Sequence, residues 1–257
     1  ELRVGEREAG FSMELWAENM GAYTVGFISP TGEVAREISV PLRGENTVFF
    51  LLEQTQITVY TQIADVSSGS QFIFMRFENP MSGIWRILIR NSLDIRETFH
   101  IWLPVRGFIS DETYFLRPDP DTIITDPGNA RYPITVTAYD HTKNSIYIHA
   151  SRGYSLSGRI KPDLAAPGVN ILGASVSGRR LTRMSGTSVS AAHLAGAAAI
   201  LLNWGVLNAN YPYLNTPVLK SIFVRGAQRN PALTYPNREF GYGTLNLYEA
   251  FLHLRNL

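Results

Sequence analysis

There is no cysteine among the 257 residues, which excludes disulfides and thiolate zinc sites. That absence leaves the compartment open, because many secreted bacterial enzymes manage without disulfides. Charge of one sign is lacking too. Basic residues number 23 and acidic residues 22, for a net charge of +1, and this balance gives no support for a nucleic-acid partner. The start has no signal peptide: Glu1-Leu-Arg-Val-Gly-Glu-Arg7 is charged and lacks an initiator Met. The expectation is a chain that begins inside a longer protein, with targeting information upstream. Long hydrophobic runs are scarce. The stretch from Val189 to Trp204 holds Ser190, His193 and Asn203 and is shorter than the ~20 apolar residues a bilayer span needs. It reads as a buried helix, apolar all round, and no membrane partner is expected. Internal repeats and low-complexity tracts are missing as well.

What is present is a chain that changes character midway. Hydrophobic residues make up 45% and charged residues 18%, enough for a sizeable core in one large domain or two smaller ones. Over the first ~115 residues, apolar and polar side chains alternate, as expected of half-buried strands. Phe11–Trp16, Tyr23–Ile28, Gln56–Gln62, Gln71–Phe77, Trp85–Arg90 and Thr98–Leu103 all show the pattern. Turn signals separate them at Ser29–Gly32, Arg43–Asn46, Ser67–Ser70 and Asn79–Gly83. This spacing predicts an antiparallel sandwich of jelly-roll type over 1–115. The Pro- and Asp-rich segment 116–130 reads as a connection. From 131 to 257 strands mix with helices, which predicts an α/β unit. Tyr132–Ala138 reads as a buried strand, Asp163–Gly168 as a turn and Val169–Ala174 as a short strand. Helices are expected from near Ser188, over Pro217–Ala227 and over Leu245–Leu254.

The chemistry lies in Arg183-Met-Ser-Gly-Thr-Ser-Val-Ser-Ala-Ala-His-Leu-Ala-Gly196. A tight Gly turn opens an Ala-rich helix with Ser188 in its first turn. The first N–H groups of a helix have no internal partner, and the helix dipole adds positive charge there. An oxyanion forming beside Ser188 could thus be stabilised by the Ser188 N–H, with Gly186 and Thr187 shaping the turn. The same letters also describe an ordinary capped helix.

The longer pattern Gly186-Thr-Ser188-x-Ser-x-x-His193-x-Ala-Gly196 resembles the serine motif of the subtilisin-like serine proteases. Flanking segments resemble that family in the same order. They are Tyr132–Ala138, Ala150-Ser-Arg-Gly153, Gly158-Arg-Ile-Lys-Pro-Asp-Leu-Ala-Ala-Pro-Gly168 and Gly241-Tyr-Gly-Thr-Leu-Asn-Leu247. The usual Pro before the His is Ala192 here. The resemblance covers about 130–257 and implies the C-terminal half of a subtilisin-like catalytic domain: a parallel sheet with buried helices. It implies a serine endopeptidase with Ser188 as nucleophile and a protein or peptide as substrate. The layout resembles bacterial, including clostridial, subtilases with a jelly-roll insert, and so implies a secreted or cell- or spore-associated protein.

The family's triad runs Asp, His, Ser, and neither Asp-Ser/Thr-Gly nor His-Gly-Thr occurs in this chain. Asp65-Val-Ser-Ser-Gly69 is the nearest text match, in the all-β part. His193 lies five residues after Ser188, about 140° around a helix, and points away from it. Asp140-His141 reads as a turn after a strand. Asn129 matches the expected oxyanion Asn in composition only. The triad Asp and His are therefore expected from an upstream half of the same catalytic domain, and this chain alone is expected to be inactive. A silent subtilase-fold protein with a binding or regulatory role is the alternative, and a third reading makes the first unit the binding module. Calcium is possible by family resemblance, but no metal site is expected from the residues: Asp119, Asp121 and Asp126 fit no calcium-loop spacing. Arg179, Arg180 and Arg183 could favour acidic groups in a substrate or form a solvated hairpin. The aromatic strands of the first unit could bind carbohydrate or a partner, although core packing accounts for most of them.

Overall fold

The computed structural model describes residues 1–17, 23–38, 43–62, 69–91, 98–105, 107–175, 178 and 181–254. The chain divides into two units, Glu1–Pro118 and Asp119–Leu257. Of the sequence features above, Asp65, Arg179 and Arg180 lie outside the described residues.

Side-chain alternation builds the first unit. Its strands are β1 (Leu2–Val4), β2 (Gly10–Ala17), β3 (Tyr23–Ile28), β4 (Val34–Ile38), β5 (Arg43–Phe50), β6 (Thr55–Gln62), β7 (Gln71–Glu78), β8 (Gly83–Asn91), β9 (Phe99–Trp102) and β10 (Tyr114–Phe115). They form two antiparallel five-stranded sheets, ordered β10-β1-β8-β3-β4 and β5-β6-β7-β2-β9. In β2 the residues Phe11, Met13, Leu15 and Ala17 turn inward while Ser12, Glu14 and Trp16 turn outward. Inward residues of both sheets share one core. At its centre Phe77 stacks on Phe11 at 4.7 Å and meets Phe27 and Trp85 edge-on. Each such ring pair adds about 1 kcal/mol beyond area burial.

The sequence reading needs correcting at two turns. Arg43–Asn46 belongs to β5, where cross-strand pairing from Arg43↔Gln62 onward overrides its Gly and Asn. Asp163–Gly168 is largely a strand, β13 (Leu164–Pro167), which pairs in parallel with β11 (Val136–Asp140). Its Pro sits at the last paired position, where a missing N–H disturbs little.

The second unit is built around that parallel pair. β12 (Ser145–Ile146) joins β11 antiparallel, and Thr244 forms a parallel bridge to Ala165 on the far side of β13. A hairpin of β14 (Ile171–Ala174) and β15 (Leu181–Met184) follows. The helices are α1 (Thr187–Leu202), extended by a π turn over Asn203–Leu207, α2 (Thr216–Arg225) and α3 (Leu247–Leu254). The Asn215 side chain caps α2 by accepting from the Val218 N–H at 3.2 Å, with Pro217 in the first turn.

Helix α1 departs from expectation. It is not buried all round: only the stripe Ser190, Leu194, Ala197 and Leu201 is covered, while Ala191, Ala192, Ala195, Gly196, Ala199 and Ile200 are exposed. With the π turn the helical run reaches 21 residues, long and apolar enough by composition to cross a bilayer. Its buried stripe nonetheless packs within the folded second unit, against Leu164, Ile222 and Phe223 among others.

Candidate active site

The site is assembled where the parallel strands end. After β13 the chain reaches Gly168, whose carbonyl accepts the Gly186 N–H at 2.8 Å. Gly186 caps α1 with φ +153°, a backbone state that favours glycine. A Cβ on Gly168 would lie 2.3 Å from Ser190 Oγ and 2.6 Å from Ala138 Cβ, so only glycine permits this approach. One turn into α1, the buried Ser190 hydroxyl donates to the Ala166 carbonyl at 2.8 Å. Ser185 Oγ accepts the Asn170 N–H at 2.9 Å, and Arg183 donates to the Asn170 carbonyl at 2.8 Å. The turn that carries Ser188 is thus pinned from both sides.

Thr187 and Ser188 are exposed on this pinned turn. Among the described residues neither backbone N–H donates to a carbonyl; the first bonded amides are Val189 and Ser190, both to the Gly186 carbonyl. A free N–H at a helix start, beside a hydroxyl, suits developing negative charge. The location, at the carboxyl end of parallel strands, is where α/β folds place their chemistry.

The other candidates go elsewhere. His193 is exposed, and its Nδ1 donates to the Val189 carbonyl at 3.1 Å, so the ring is turned to its own helix. Asp140 ends β11 and accepts the Thr142 hydroxyl at 2.7 Å and the Thr142 N–H at 2.9 Å. Those bonds, the hydroxyl first, hold its carboxyl below the usual range. His141 is exposed in the turn that follows, and His149 packs edge-on to Tyr147. Asn129 donates to the Ile124 carbonyl. Asp119 accepts the Asp121 N–H at 2.9 Å, and Asp121 pairs with Arg238 at 2.8 Å. Among the described residues no group of three or more acidic or His side chains is placed to hold a metal.

Sequence reasoning missed a buried charge cluster at the other end of β13. Lys161 and Asp163 are 1% and 0% exposed. Lys161 Nζ donates to Asp163 Oδ2 at 2.9 Å, to the Pro133 carbonyl at 2.8 Å and to Thr135 Oγ1 at 2.9 Å. Lys220 from α2 pairs with the other Asp163 oxygen. Burial pushes the Lys161 ammonium below its usual range, with the Asp163 contact opposing that shift. The Gly241–Asn246 segment closes on the same strand: the Tyr242 N–H donates to the Asp163 carbonyl, the Ala165 N–H to Gly243, and the Leu245 N–H to Ala165. The signal was Lys-Pro-Asp standing immediately before an apolar strand.

The site is thus an exposed serine at a helix start, with its amide unengaged and its turn clamped to the end of a parallel sheet. Residues 117–243 match the model of the Subtilase family, and through them the chain belongs to that family of serine peptidases. It is 33% identical over 106 residues to "Subtilisin-like protease 1" of Pseudogymnoascus destructans, covering 41% of this chain and 24% of the relative. It is 35% identical over 104 residues to "Serine protease AprX" of Bacillus subtilis, covering 33% of this chain and 23% of the relative. Among solved structures, the CspB protease of Clostridium perfringens matches with a TM-score of 0.91 and 29% identity, over 99% of this chain and 54% of that one. Both units therefore have counterparts in a subtilase-like fold. The chain spans about a quarter of the curated relatives it matches and about half of the clostridial structure.

Proposed function

We propose that the whole protein is a serine endopeptidase for which this chain supplies the nucleophile, Ser188. The observation that carries the reading is the clamped Gly186–Ser188 turn with its unengaged amide. Ser188 Oγ attacks the scissile carbonyl, and its proton passes to a His that an Asp orients. The Ser188 N–H and an Asn donor hold the oxyanion. The C–N bond breaks as the His protonates the leaving amine, and water then hydrolyses the acyl-enzyme. The His, the Asp and the Asn come from an upstream half of the catalytic domain, and that half covers the exposed Ala-rich face of α1. In this layout residues 1–115 are a jelly-roll insert, 116–130 the connection and 131–257 the C-terminal half of an α/β catalytic domain. This chain alone is then inactive.

Labelling with a fluorophosphonate tests the reading. The full-length protein is expected to react, and its Ser188→Ala variant not. A full-length protein that is folded yet unreactive would favour a second reading, a silent subtilase acting as a binding protein.

A further inference from the structure

The β5-β6-β7-β2-β9 sheet has an outer face unlike that of an ordinary sandwich. Antiparallel sheets with one face in the core usually turn polar side chains to water. Here the registers set Trp16 beside Phe72 and His100, and Phe74 beside Tyr60, with Trp102 opposite Glu14. All six rings lie on the outward side and remain part-exposed. They fall in two groups: Trp16 and Phe72 are 4.6 Å apart between ring centres and Phe72 and Phe74 6.4 Å, while His100 stacks parallel to Trp102 at 5.4 Å. Trp16 Nε1 donates to Glu14 Oε2 at 3.0 Å, and the Tyr60 hydroxyl donates to Gln62 Oε1 at 3.3 Å. These bonds fix polar groups at the ring edges.

We propose that this face binds a neutral glycan chain. The composition selects the ligand. No strand of this sheet turns an aliphatic side chain outward, and the apolar groups are all rings. Flat rings offer stacking surfaces for the C–H faces of pyranose sugars, while carboxylate and amide groups beside them meet hydroxyls. Charge points the same way. Glu14, Glu45 and Glu78 are offset by Arg43 and Arg76, so the face has no basic excess to hold a polyanion or an anionic bilayer. The other sheet gives the contrast: its β3 and β8 strands turn Thr24, Arg86, Leu88 and Arg90 outward, with no ring.

The test is titration calorimetry of the intact chain with cellohexaose and with chitohexaose, neutral β-linked chains of glucose and N-acetylglucosamine. Binding in the millimolar range or tighter to at least one is expected. Trp16→Ala and Trp102→Ala should each weaken it by roughly tenfold, as the loss of one stacked ring does. Trp204→Ala, in the second unit, should leave it unchanged. Should Trp16→Ala reduce the yield of folded protein, Trp102→Ala and Tyr60→Phe carry the test. Absence of binding to both oligosaccharides overturns the proposal, as does binding that persists undiminished in the Trp16 and Trp102 variants. The readout involves no catalysis, so it stands whether or not Ser188 is reactive.

Discussion

Gly168 governs the reach of its neighbours. Gly168→Ala would drive a methyl into Ser190 Oγ and Ala138 Cβ, and such overpacking costs about 1–3 kcal/mol. The expected result is a lower melting temperature together with a displaced Ser188 turn. If the full-length protein is the proposed endopeptidase, that displacement would appear as slower fluorophosphonate labelling. Asp140 offers a pH-dependent case. Its carboxyl is lowered, by the Thr142 hydroxyl first, so its contribution to stability is present above the unfolded value of about 3.9. That contribution is lost as pH falls through the lower folded value. Thr142→Val should therefore melt earlier than the parent at pH 7, and the gap should close as the solution is acidified below the usual Asp range. Lys161 shifts stability in the same direction with pH, in a higher window and for a different reason. Its ammonium is lowered by burial, so the cost of keeping it charged falls as pH rises through the window below its ordinary 10.5. Removing it strands part of Asp163. Lys161→Met should cost about 3 kcal/mol in denaturant unfolding at pH 7, the lower end for a broken buried pair because Lys220 remains. The Ser188 turn was legible in sequence because a backbone-driven motif leaves fixed letters. The Lys161 cluster was not, since charged residues are read as surface unless something marks their partners.

Elements were legible where their period was undisturbed. Tyr23–Ile28 has the bounds read from alternation, and β6, β7 and β8 differ from expectation by a residue or two at their ends. Short or interrupted strands escaped. β1 has three residues and β10 two, too few to show a period, and β13 was hidden by its terminal Pro-Gly. Helix α1 shows what composition alone misses. Ala and Gly on every side gave no amphipathic signal, yet the fold covers a single stripe. Leu194→Ala, on that stripe, should cost about 2–4 kcal/mol in unfolding. Ala199→Arg, on the open face, should leave the chain's own stability within about 0.5 kcal/mol. If the upstream half covers this face, the same Arg should abolish recovery of activity when the two halves are mixed.

At the scale of the molecule, each unit has a core of its own. Buried residues from Leu2 to Trp85 form one cluster, and those from Leu164 to Ala250 form another. Residues 1–118 expressed alone should therefore unfold in a single cooperative transition, followed by the near-ultraviolet signal of buried Trp85. A gradual, non-cooperative loss of that signal would count against an autonomous first unit.

The bond from Gly186 to Gly168 ties the Ser188 turn to strand registration. Val136↔Leu164 through Tyr139↔Pro167 fix where β13 stops against β11, and the Ser188 hydroxyl inherits that stopping point. A slip of one residue would take Gly168 away from Gly186 and turn the Ala166 carbonyl away from Ser190. The placement of Ser188 thus acts as a gauge of sheet alignment, sensitive to changes made a full strand length away.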